Sequence, residues 1–491
     1  MIKHTIFQKP MWHDAQTRVE IKWQKIIFII IILVNIAFNS SYISAPFIGQ
    51  NSWRDSQTFG VCRNFIEEDN NILEPAYDIR KYNNEGELPG EFPLFSYYTS
   101  VLMRVFGIDI SVARFGNYLL FLASSVLLFL LCNKKFDSYT ALFVVAAFVS
   151  NPLVSSQSIS TMPETMVNFF VILTLFFFFN IENRALKWTF IIIAVCLATL
   201  IKPSGFVILS FILTYDLISS EFSLKNWLYY VFLSTIPVVL LVLWIHHTLT
   251  FEQLFFGNTI SHEYNHTVAK AWRELTFETT FSAFEKTFRH GLNVVGVTCF
   301  LIVILKLFKI QNLFNSKNAW PLGAILYLGG GIFFLLYASG IQHTQLYYAA
   351  SIIVPGILFC AYSFQNGGRI VCFTLSLLLL LQTNIKVNTF LSNFEVEREK
   401  WNNFRLEKST EKFSNRNDLF IVYPFPYSDF TQMGRLGRRG LNLQNITQLD
   451  SMKYGFSYLC LLDTNKRHEI MPYVSPMAVF VDSQAEYYAI R

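Results

Sequence analysis

The sequence predicts an all-helical polytopic membrane protein with a small α/β domain at its C-terminal end. Of its 491 residues, 53% are hydrophobic and only 15% are charged, against roughly 25% charged in an average soluble domain. Many apolar runs approach the roughly 20 residues that a helix needs to cross a bilayer. The net charge of +5 is small and spread along the chain, which gives no argument for a nucleic acid partner.

About eleven apolar segments are predicted to span the membrane. The first is long and lacks a small-residue cleavage site, so it is expected to be an uncleaved anchor. The fifth and sixth are short and are separated only by residues 202–205, which predicts one broken helix or a re-entrant pair. The predicted spans cover residues 26–44, 110–132, 138–156, 163–181, 188–201, 203–219, 227–247, 291–310, 320–338, 346–364 and 370–386.

Basic residues predict how the chain is oriented in the membrane. Fourteen lysines and arginines lie in the N-terminal tail and in the loops on its side, whereas short loops on the other side hold only Lys202. Because positively charged loops stay in the cytoplasm, the N-terminus is predicted to be cytoplasmic. An odd number of spans then places the C-terminus on the outer side, together with the long segments 45–109 and 248–290.

The tail is expected to form a separate outer domain over residues 387–491, after a transmembrane domain over residues 1–386. Residues 419–424 are typical of a buried strand ended by proline, and residues 477–481 of a second strand. The seven cysteines include no C-x-x-C pair. They predict neither a disulfide framework nor a thiolate zinc site.

The first outer loop is rich in acidic residues, and three of them are candidate catalytic carboxylates. Asp55 follows Trp53 and Arg54, close to the point where the first span leaves the bilayer. Partial desolvation there raises the basicity of a carboxylate, and the neighbouring arginine moderates the shift. Asp78 and Glu91 are alternatives in the same loop. The apolar helix that follows is too short to cross and is expected to lie along the membrane surface.

Polar residues at membrane depth add further candidates. Glu164 begins the fourth span, where it either faces a cavity or is favoured by the helix dipole. Lys202, between two apolar runs, either binds a lipid phosphate or extends its ammonium group to the interface. An interfacial aromatic belt accounts for Tyr347 and Tyr348 but less well for the nearby His343.

One metal-binding pattern is present. Residues 262–266 read His-Glu-Tyr-Asn-His and match the H-E-x-x-H zinc motif. The match lies inside a long predicted outer loop rather than in or beside a spanning helix, and no third ligand is evident. A membrane metalloprotease is therefore a minor alternative.

In their order and spacing, these motifs resemble the GT-C superfamily of membrane glycosyltransferases, and within it the branch of protein O-mannosyltransferases and the lipid A aminoarabinose transferase. The resemblance runs from about residue 26 to residue 450. Serine follows Asp55 where the family often has Asp-Glu, and Phe92 precedes Pro93 where many relatives have two prolines. The motifs are WRDSQT at 53–58, EFPLF at 91–95, Gly107, MPE at 162–164, KPSG at 202–205, His343 with Tyr347 and Tyr348, and GRRG at 437–440.

The resemblance implies transfer of a sugar from a polyprenyl-phosphate donor to a hydroxyl of a lipid, glycan or protein, with inversion, at the outer face. No sugar-binding trefoil insertion is present, which implies a bacterial-type enzyme of the inner membrane, active in envelope glycan synthesis. A monophosphate leaving group requires no cofactor, although a divalent metal is compatible with it. The implied role of Asp55 is general base, with Asp78 and Glu91 as alternatives, and Glu164 is a catalytic residue that positions the acceptor or tunes Asp55. Phosphate binding is implied for Lys202, Arg54, Arg438 and Arg439, and substrate contact for Trp53, Gln57, His343, Tyr347 and Tyr348.

Two other functions are compatible with the sequence. A transporter or flippase of lipid-linked sugars would have polar residues near the midpoints of its spans in both halves. A structural subunit would have acids that are merely solvated. Here the polar residues gather at the predicted outer ends and in the first outer loop, which favours chemistry at the interface.

Overall fold

The computed structural model is mostly helical, with one five-stranded sheet in the tail. The all-helical membrane fold with a small α/β domain is therefore confirmed. The structure describes residues 11–45, 47, 52–68, 70–78, 91–219, 224–255, 293–308, 319–337, 352–364, 410, 412–415, 418–423, 439–442, 456–475, 477–481 and 485–490.

Thirteen α-helices precede the sheet in the described residues. A 3₁₀ helix, Pro203–Val207, joins the eighth helix to the ninth. The α-helices are α1 (Met11–Ile43), α2 (Ser52–Glu67), α3 (Leu94–Phe106), α4 (Ile110–Lys135), α5 (Ser138–Val149), α6 (Pro152–Ser158), α7 (Glu164–Asn180), α8 (Arg184–Ile201), α9 (Ile208–Ser219), α10 (Leu224–Phe255), α11 (Asn293–Phe308), α12 (Ala319–Tyr337) and α13 (Ile353–Phe364).

The first nine predicted spans coincide with helices or helix pairs, and the described part of the tenth, 352–364, is helical. The eleventh, 370–386, lies outside the described residues. Four described helices, α1, α4, α8 and α10, are long and apolar enough to cross a bilayer, and α5 with α6 makes a bent fifth candidate. The other matching helices are apolar but shorter. The count of about eleven spans stays a prediction.

The third predicted span, 138–156, comprises two helices, α5 and α6, which are bent by 67° relative to each other. Pro152 opens α6; it has no N–H, and it disfavours helical backbone at the residue before it. Asn151 is accordingly extended, and its side chain accepts hydrogen bonds from the N–H groups of Leu153 and Val154. The break predicted at residues 202–205 is present, since Lys202 is extended between α8 and the 3₁₀ helix.

The helix predicted to lie on the membrane surface is α3. At 13 residues, it is too short to cross. It buries Phe95 and Met103 and exposes Val105 and Phe106. Such a short helix with one buried and one exposed apolar face is typical of interfacial helices.

The helices enclose a continuous apolar core that includes the fully buried Phe121, Phe143 and Phe148. Helix α4 packs against α5 and α7, and α7 packs against α8. Helices α1 and α10 instead expose large apolar side chains such as Leu33 and Leu243. These outward faces fit contact with lipid.

Basic residues predicted to lie on one side of the membrane gather at one end of the bundle. Lys135, in the last turn of α4, donates to the Tyr215 hydroxyl at 2.7 Å. Arg184 begins α8 and stacks over the Tyr230 ring, 4.8 Å from its centroid. Glu164 opens α7 at the opposite end. The assignment of these ends to the cytoplasm and the outside stays a prediction.

The tail contains a mixed sheet in the order β2-β1-β3-β5-β4. Strand β1 is parallel to β2 and β3, and β5 is antiparallel to β3 and β4. A 3₁₀ turn, Thr464–Lys466, and a short helix α14, Arg467–Ile470, follow β3. The strands are β1 (Leu419–Tyr423), β2 (Arg439–Asn442), β3 (Tyr458–Leu461), β4 (Phe480–Val481) and β5 (Glu486–Ala489).

The structure agrees with one predicted tail strand and shortens the other. Strand β1 is buried along its whole length, as predicted for residues 419–424. The strand predicted over 477–481 is too long: β4 begins only at Phe480, and Met477 is 79% exposed. Among the described strands, β4 lies at the edge of the sheet and pairs on one side only, which is typical of a short strand. The domain boundary at residues 386 and 387 lies outside the described residues.

Candidate active site

Asp55 lies in the first turn of α2 and is buried. One carboxylate oxygen accepts from the backbone N–H of Thr161 at 3.3 Å, and the other lies 3.4 Å from an Arg114 nitrogen. The Thr161 hydroxyl also donates to the Asp55 carbonyl oxygen at 2.8 Å. Burial raises the pKa of Asp55 above its ordinary value, although Arg114 and Thr161 oppose the shift. Asp55 is thus a stronger base than a solvated aspartate.

Arg114 is a site residue that the sequence reasoning missed. Its buried guanidinium donates to the carbonyl oxygens of Tyr42 (3.1 Å) and Ala45, just beyond the membrane-crossing part of α1. It therefore ties the end of α1 to the Asp55 carboxylate. The signal that was available is an arginine one turn inside an apolar span, a position where a charge is costly without a partner.

A second missed residue, Asn117, holds the connection between α6 and α7. Its side-chain nitrogen, which carries two hydrogens, lies within hydrogen-bond distance of three backbone carbonyls: that of Gln157 in the last turn of α6 (2.8 Å) and those of Ser160 (2.9 Å) and Met162 (3.2 Å) beyond it. Asn117 is fully buried on α4. It thereby fixes the segment that presents Thr161 to Asp55.

Lys202 and Glu164 form a buried ion pair. The Lys202 ammonium lies 2.5 Å from Glu164 Oε1 and 3.1 Å from Glu91 Oε1. Lys202 is 5% exposed and Glu164 only 1%. Gly205 allows this arrangement, because a Cβ there would lie 2.5 Å from the backbone of Ala198 in α8. The 3₁₀ helix can then pack tightly against the end of α8.

Glu91 bridges two cations. Its carboxylate pairs with Arg54 through one oxygen and with Lys202 through the other. The backbone N–H of Phe92 donates to the Leu200 carbonyl at 3.2 Å, which anchors this part of the loop to α8. Burial alone would raise the pKa of Glu91, but Arg54 and Lys202 outweigh it and hold the pKa below its ordinary value.

These contacts bring Asp55, Glu164 and Lys202 to one end of the bundle. Arg54, next to Asp55 in α2, reaches Glu91, which reaches Lys202 and through it Glu164. Glu164 lies three residues after Thr161, the partner of Asp55. Three cations balance three carboxylates in this charged cluster, which consists of Arg54, Asp55, Glu91, Arg114, Glu164 and Lys202.

Gln57 and Trp53 lie beside this cluster on α2. The Gln57 side-chain oxygen accepts from Arg54 at 2.7 Å, so this buried residue helps to orient the guanidinium. Trp53 belongs to α2, but its side chain lies outside the described part. The same holds for the whole of Arg438, His343, Tyr347, Tyr348 and the motif at 262–266.

Asp78 lies beyond α2 in the chain and contacts a different part of that helix. It accepts from Arg63 at 2.7 Å and from the Asn64 side chain at 3.1 Å, and it is buried. Gly60 makes room for it, because a Cβ at this position would lie 2.5 Å from Asp78 Oδ2. At a rise of about 1.5 Å per residue, Arg63 lies about 12 Å along the helix from Asp55. Asp78 is thus outside the charged cluster.

Arg439, the first residue of β2, contacts the C-terminal end of α2. It pairs with Glu67 at 2.8 Å and with Glu68 at 3.0 Å. Within the described residues, no group of three His, Cys, Asp or Glu side chains is arranged to hold a metal ion.

A family model and several solved structures match this chain. Residues 89–246 match the family model of dolichyl-phosphate-mannose-protein mannosyltransferase. ArnT from Cupriavidus metallidurans bound to undecaprenyl phosphate is similar in structure, with a TM-score of 0.66, 11% identity, and coverage of 94% of this chain and 97% of that one. Among curated protein sequences, none matches.

Two further solved structures are similar. The apo oligosaccharyltransferase of Archaeoglobus fulgidus has a TM-score of 0.52 at 11% identity, over 96% of this chain and 74% of that one. The arabinofuranosyltransferase AftD from Mycobacteria has a TM-score of 0.51 at 13% identity, over 96% of this chain and 40% of that one.

The chain therefore has the GT-C fold, and its resemblance to GT-C membrane glycosyltransferases is confirmed. The part that matches the mannosyltransferase family model includes Glu91, Arg114, Glu164 and Lys202, four of the six residues of the charged cluster.

Proposed function

We propose that this protein transfers a sugar from a polyprenyl-phosphate donor to a hydroxyl acceptor at the outer face of the membrane. The observation that carries the proposal is the charged cluster. It brings Asp55, a carboxylate of raised pKa, to the same end of the bundle as two cations that together hold one oxyanion, the Glu91 carboxylate. The acceptor is a lipid, glycan or protein of the envelope, and the membrane is the bacterial inner membrane.

The donor phosphate is proposed to bind between Arg54 and Lys202. A carboxylate, that of Glu91, already bridges these two side chains, so their spacing suits a single oxyanion. The Glu91 side chain is 30% exposed, whereas that of Glu164 is 1% exposed. An incoming phosphate would therefore displace Glu91 and leave Glu164 to hold Lys202. The similar ArnT structure with bound undecaprenyl phosphate supports a lipid phosphate as the ligand.

Asp55 is the proposed general base among the three candidate carboxylates. Its pKa is raised, which favours proton uptake, whereas two cations lower the pKa of Glu91. Asp78 is engaged by Arg63 and Asn64 at the other end of α2. A base with a pKa shifted towards the working pH is the more efficient one.

The proposed reaction is a single displacement. The acceptor hydroxyl gives its proton to the Asp55 carboxylate while its oxygen forms a bond to the anomeric carbon of the sugar. The bond from that carbon to the phosphate oxygen breaks, and its electron pair leaves with the polyprenyl phosphate. Arg54 and Lys202 stabilise the phosphate charge as it develops. Attack from the face opposite the phosphate inverts the configuration.

The test is a transfer assay with purified protein in lipid nanodiscs and a polyprenyl-phosphate sugar labelled in the sugar. Asp55→Asn should lower the rate of sugar loss from the donor by about 10²–10⁴-fold, the typical effect of removing a general base. Asp463→Asn is the matched control. Asp463 caps the 3₁₀ turn Thr464–Lys466 in the tail through Asn465 N–H, a role that asparagine also fulfils. Its rate should stay near wild type.

Two results would contradict the proposal. Asp55→Asn activity within a few-fold of wild type would remove Asp55 from the role of base. Wild-type protein that moves the labelled lipid across a vesicle membrane, with no loss of sugar from it, would identify a flippase instead.

A further inference from the structure

In the described part of the tail domain, a buried arginine contacts α2. Arg439, the first residue of β2, donates from Nε to the Asn64 side-chain oxygen at 3.0 Å. Its two terminal nitrogens pair with Glu67 at 2.8 Å and with Glu68 at 3.0 Å. Tyr77, in the segment before Asp78, packs against the apolar core of the tail domain as well.

We propose that Arg439 is a positioning residue, which fixes α2 so that Asp55 keeps the geometry of a general base. This inference rests on the proposed function. It assigns Arg439 a different role from the phosphate binding that the family resemblance implies. The tail domain would then take part in catalysis by holding the helix that carries the base.

The contacts of Arg439 argue against a phosphate there. Its three guanidinium nitrogens face Asn64 and Glu67 of α2 and Glu68, the residue after that helix. Two carboxylates and an amide oxygen thus already share one guanidinium, and a donor phosphate would have to displace both carboxylates. In the charged cluster, by contrast, two cations share the single carboxylate of Glu91.

Helix α2 links the two places as one rigid element. It is a single helix of 16 residues, with Asp55 in its first turn and Glu67 as its last residue. These residues are about 18 Å apart at a rise of about 1.5 Å per residue. The contacts of Asp55 with Thr161 and Arg114 are 3.3 and 3.4 Å long, close to the limit for hydrogen bonds. A small tilt of α2 would therefore break them.

The test compares Arg439→Ala with the double variant Glu67→Gln/Glu68→Gln in the donor assay. If Arg439 positions α2, both changes should lower kcat by about 10–100-fold, the scale of a misplaced catalytic group. The donor KM should stay within about threefold, because no donor contact is lost. Combining all three substitutions should be no worse than Arg439→Ala alone, since the residues act through the same contacts.

A phosphate-binding role gives the opposite pattern. Arg439→Ala would then raise the donor KM strongly, and Glu67→Gln/Glu68→Gln would keep or increase activity by freeing the guanidinium. Either result overturns the inference. The exposed Arg467, which pairs with Glu486 within the tail domain, is the control. Arg467→Ala should leave kcat unchanged.

The pH profile separates positioning from a general loss of folding. Variants that tilt α2 should shift the acidic limb of kcat, because that limb reports the surroundings of Asp55. Fewer folded molecules would lower kcat equally at every pH, and a profile of unchanged shape would contradict the inference.

Asp55→Asn is measured in parallel. If it is inactive while Arg439→Ala keeps the wild-type kcat, the positioning role fails and the proposed function stands. An active Asp55→Asn instead contradicts the base itself.

Discussion

Replacing Lys202 by methionine should destabilise the protein by an amount that the structure sets. The substitution keeps the length of the side chain and removes its charge, which leaves the Glu164 carboxylate, 1% exposed, without its ion-pair partner at 2.5 Å. Breaking a buried pair in this way costs about 3–5 kcal/mol. Glu164 begins α7, but the helix dipole favours its charge equally in wild type and variant, so it does not reduce the loss. The expected loss is therefore about 3–5 kcal/mol.

Two further variants test the same ion pair between Lys202 and Glu164. Glu164→Gln should cost less, about 1–3 kcal/mol, because Lys202 keeps its contact with Glu91 at 3.1 Å. The double variant Lys202→Met/Glu164→Gln should be more stable than Lys202→Met alone, since it removes both buried charges.

The free energy of unfolding is measured by SDS titration in mixed micelles, followed by tryptophan fluorescence. Losses that simply add in the double variant would refute the reasoning, because residues in contact should couple by about 0.5–3 kcal/mol. So would a Lys202→Met protein that is as stable as wild type.

Three further predictions follow from close contacts and from burial. Gly60→Ala would place a Cβ 2.5 Å from Asp78 Oδ2, so it should lower stability by about 1–3 kcal/mol in the same titration. Gly205→Ala should be at least as damaging because its Cβ would meet the backbone of α8, whereas Gly329→Ala, with open space around it, should have little effect. Because burial raises the pKa of Asp55, the transfer rate should fall with decreasing pH as this carboxylate takes up its proton. An acidic limb at the ordinary pKa of aspartate would contradict this.

Much of the fold could be predicted because apolar length is a local property of the sequence. The spans near 110–132 and 163–181 match α4 and α7 to within a few residues. The bend at Asn151 was missed, although Pro152 signals it, because apolar residues resume directly after it at 152–154. The strand predicted at 477–481 failed for a similar reason. An apolar run shows burial and β-propensity, but not how many partner strands are available.

The site was predictable in part. Asp55, Glu164 and Lys202 stand out as ionisable residues where the chain meets the membrane, and the structure brings them to one end of the bundle. Arg114 and Asn117 were missed, since their partners are distant in the sequence: Asp55 lies 59 residues from Arg114. The surroundings of Arg439 also depend on the fold, because a strand of the tail meets the end of α2. No local pattern contains that contact.

The central claim is that the charged cluster holds the donor phosphate, and a structure of this protein with bound polyprenyl phosphate tests it most directly. The account predicts phosphate oxygens about 2.7–2.9 Å from the nitrogens of Lys202 and Arg54. Glu91 should be displaced from its bridge between them, and Glu164 should still pair with Lys202. A phosphate bound elsewhere, with Glu91 still bridging Arg54 and Lys202, would contradict the account.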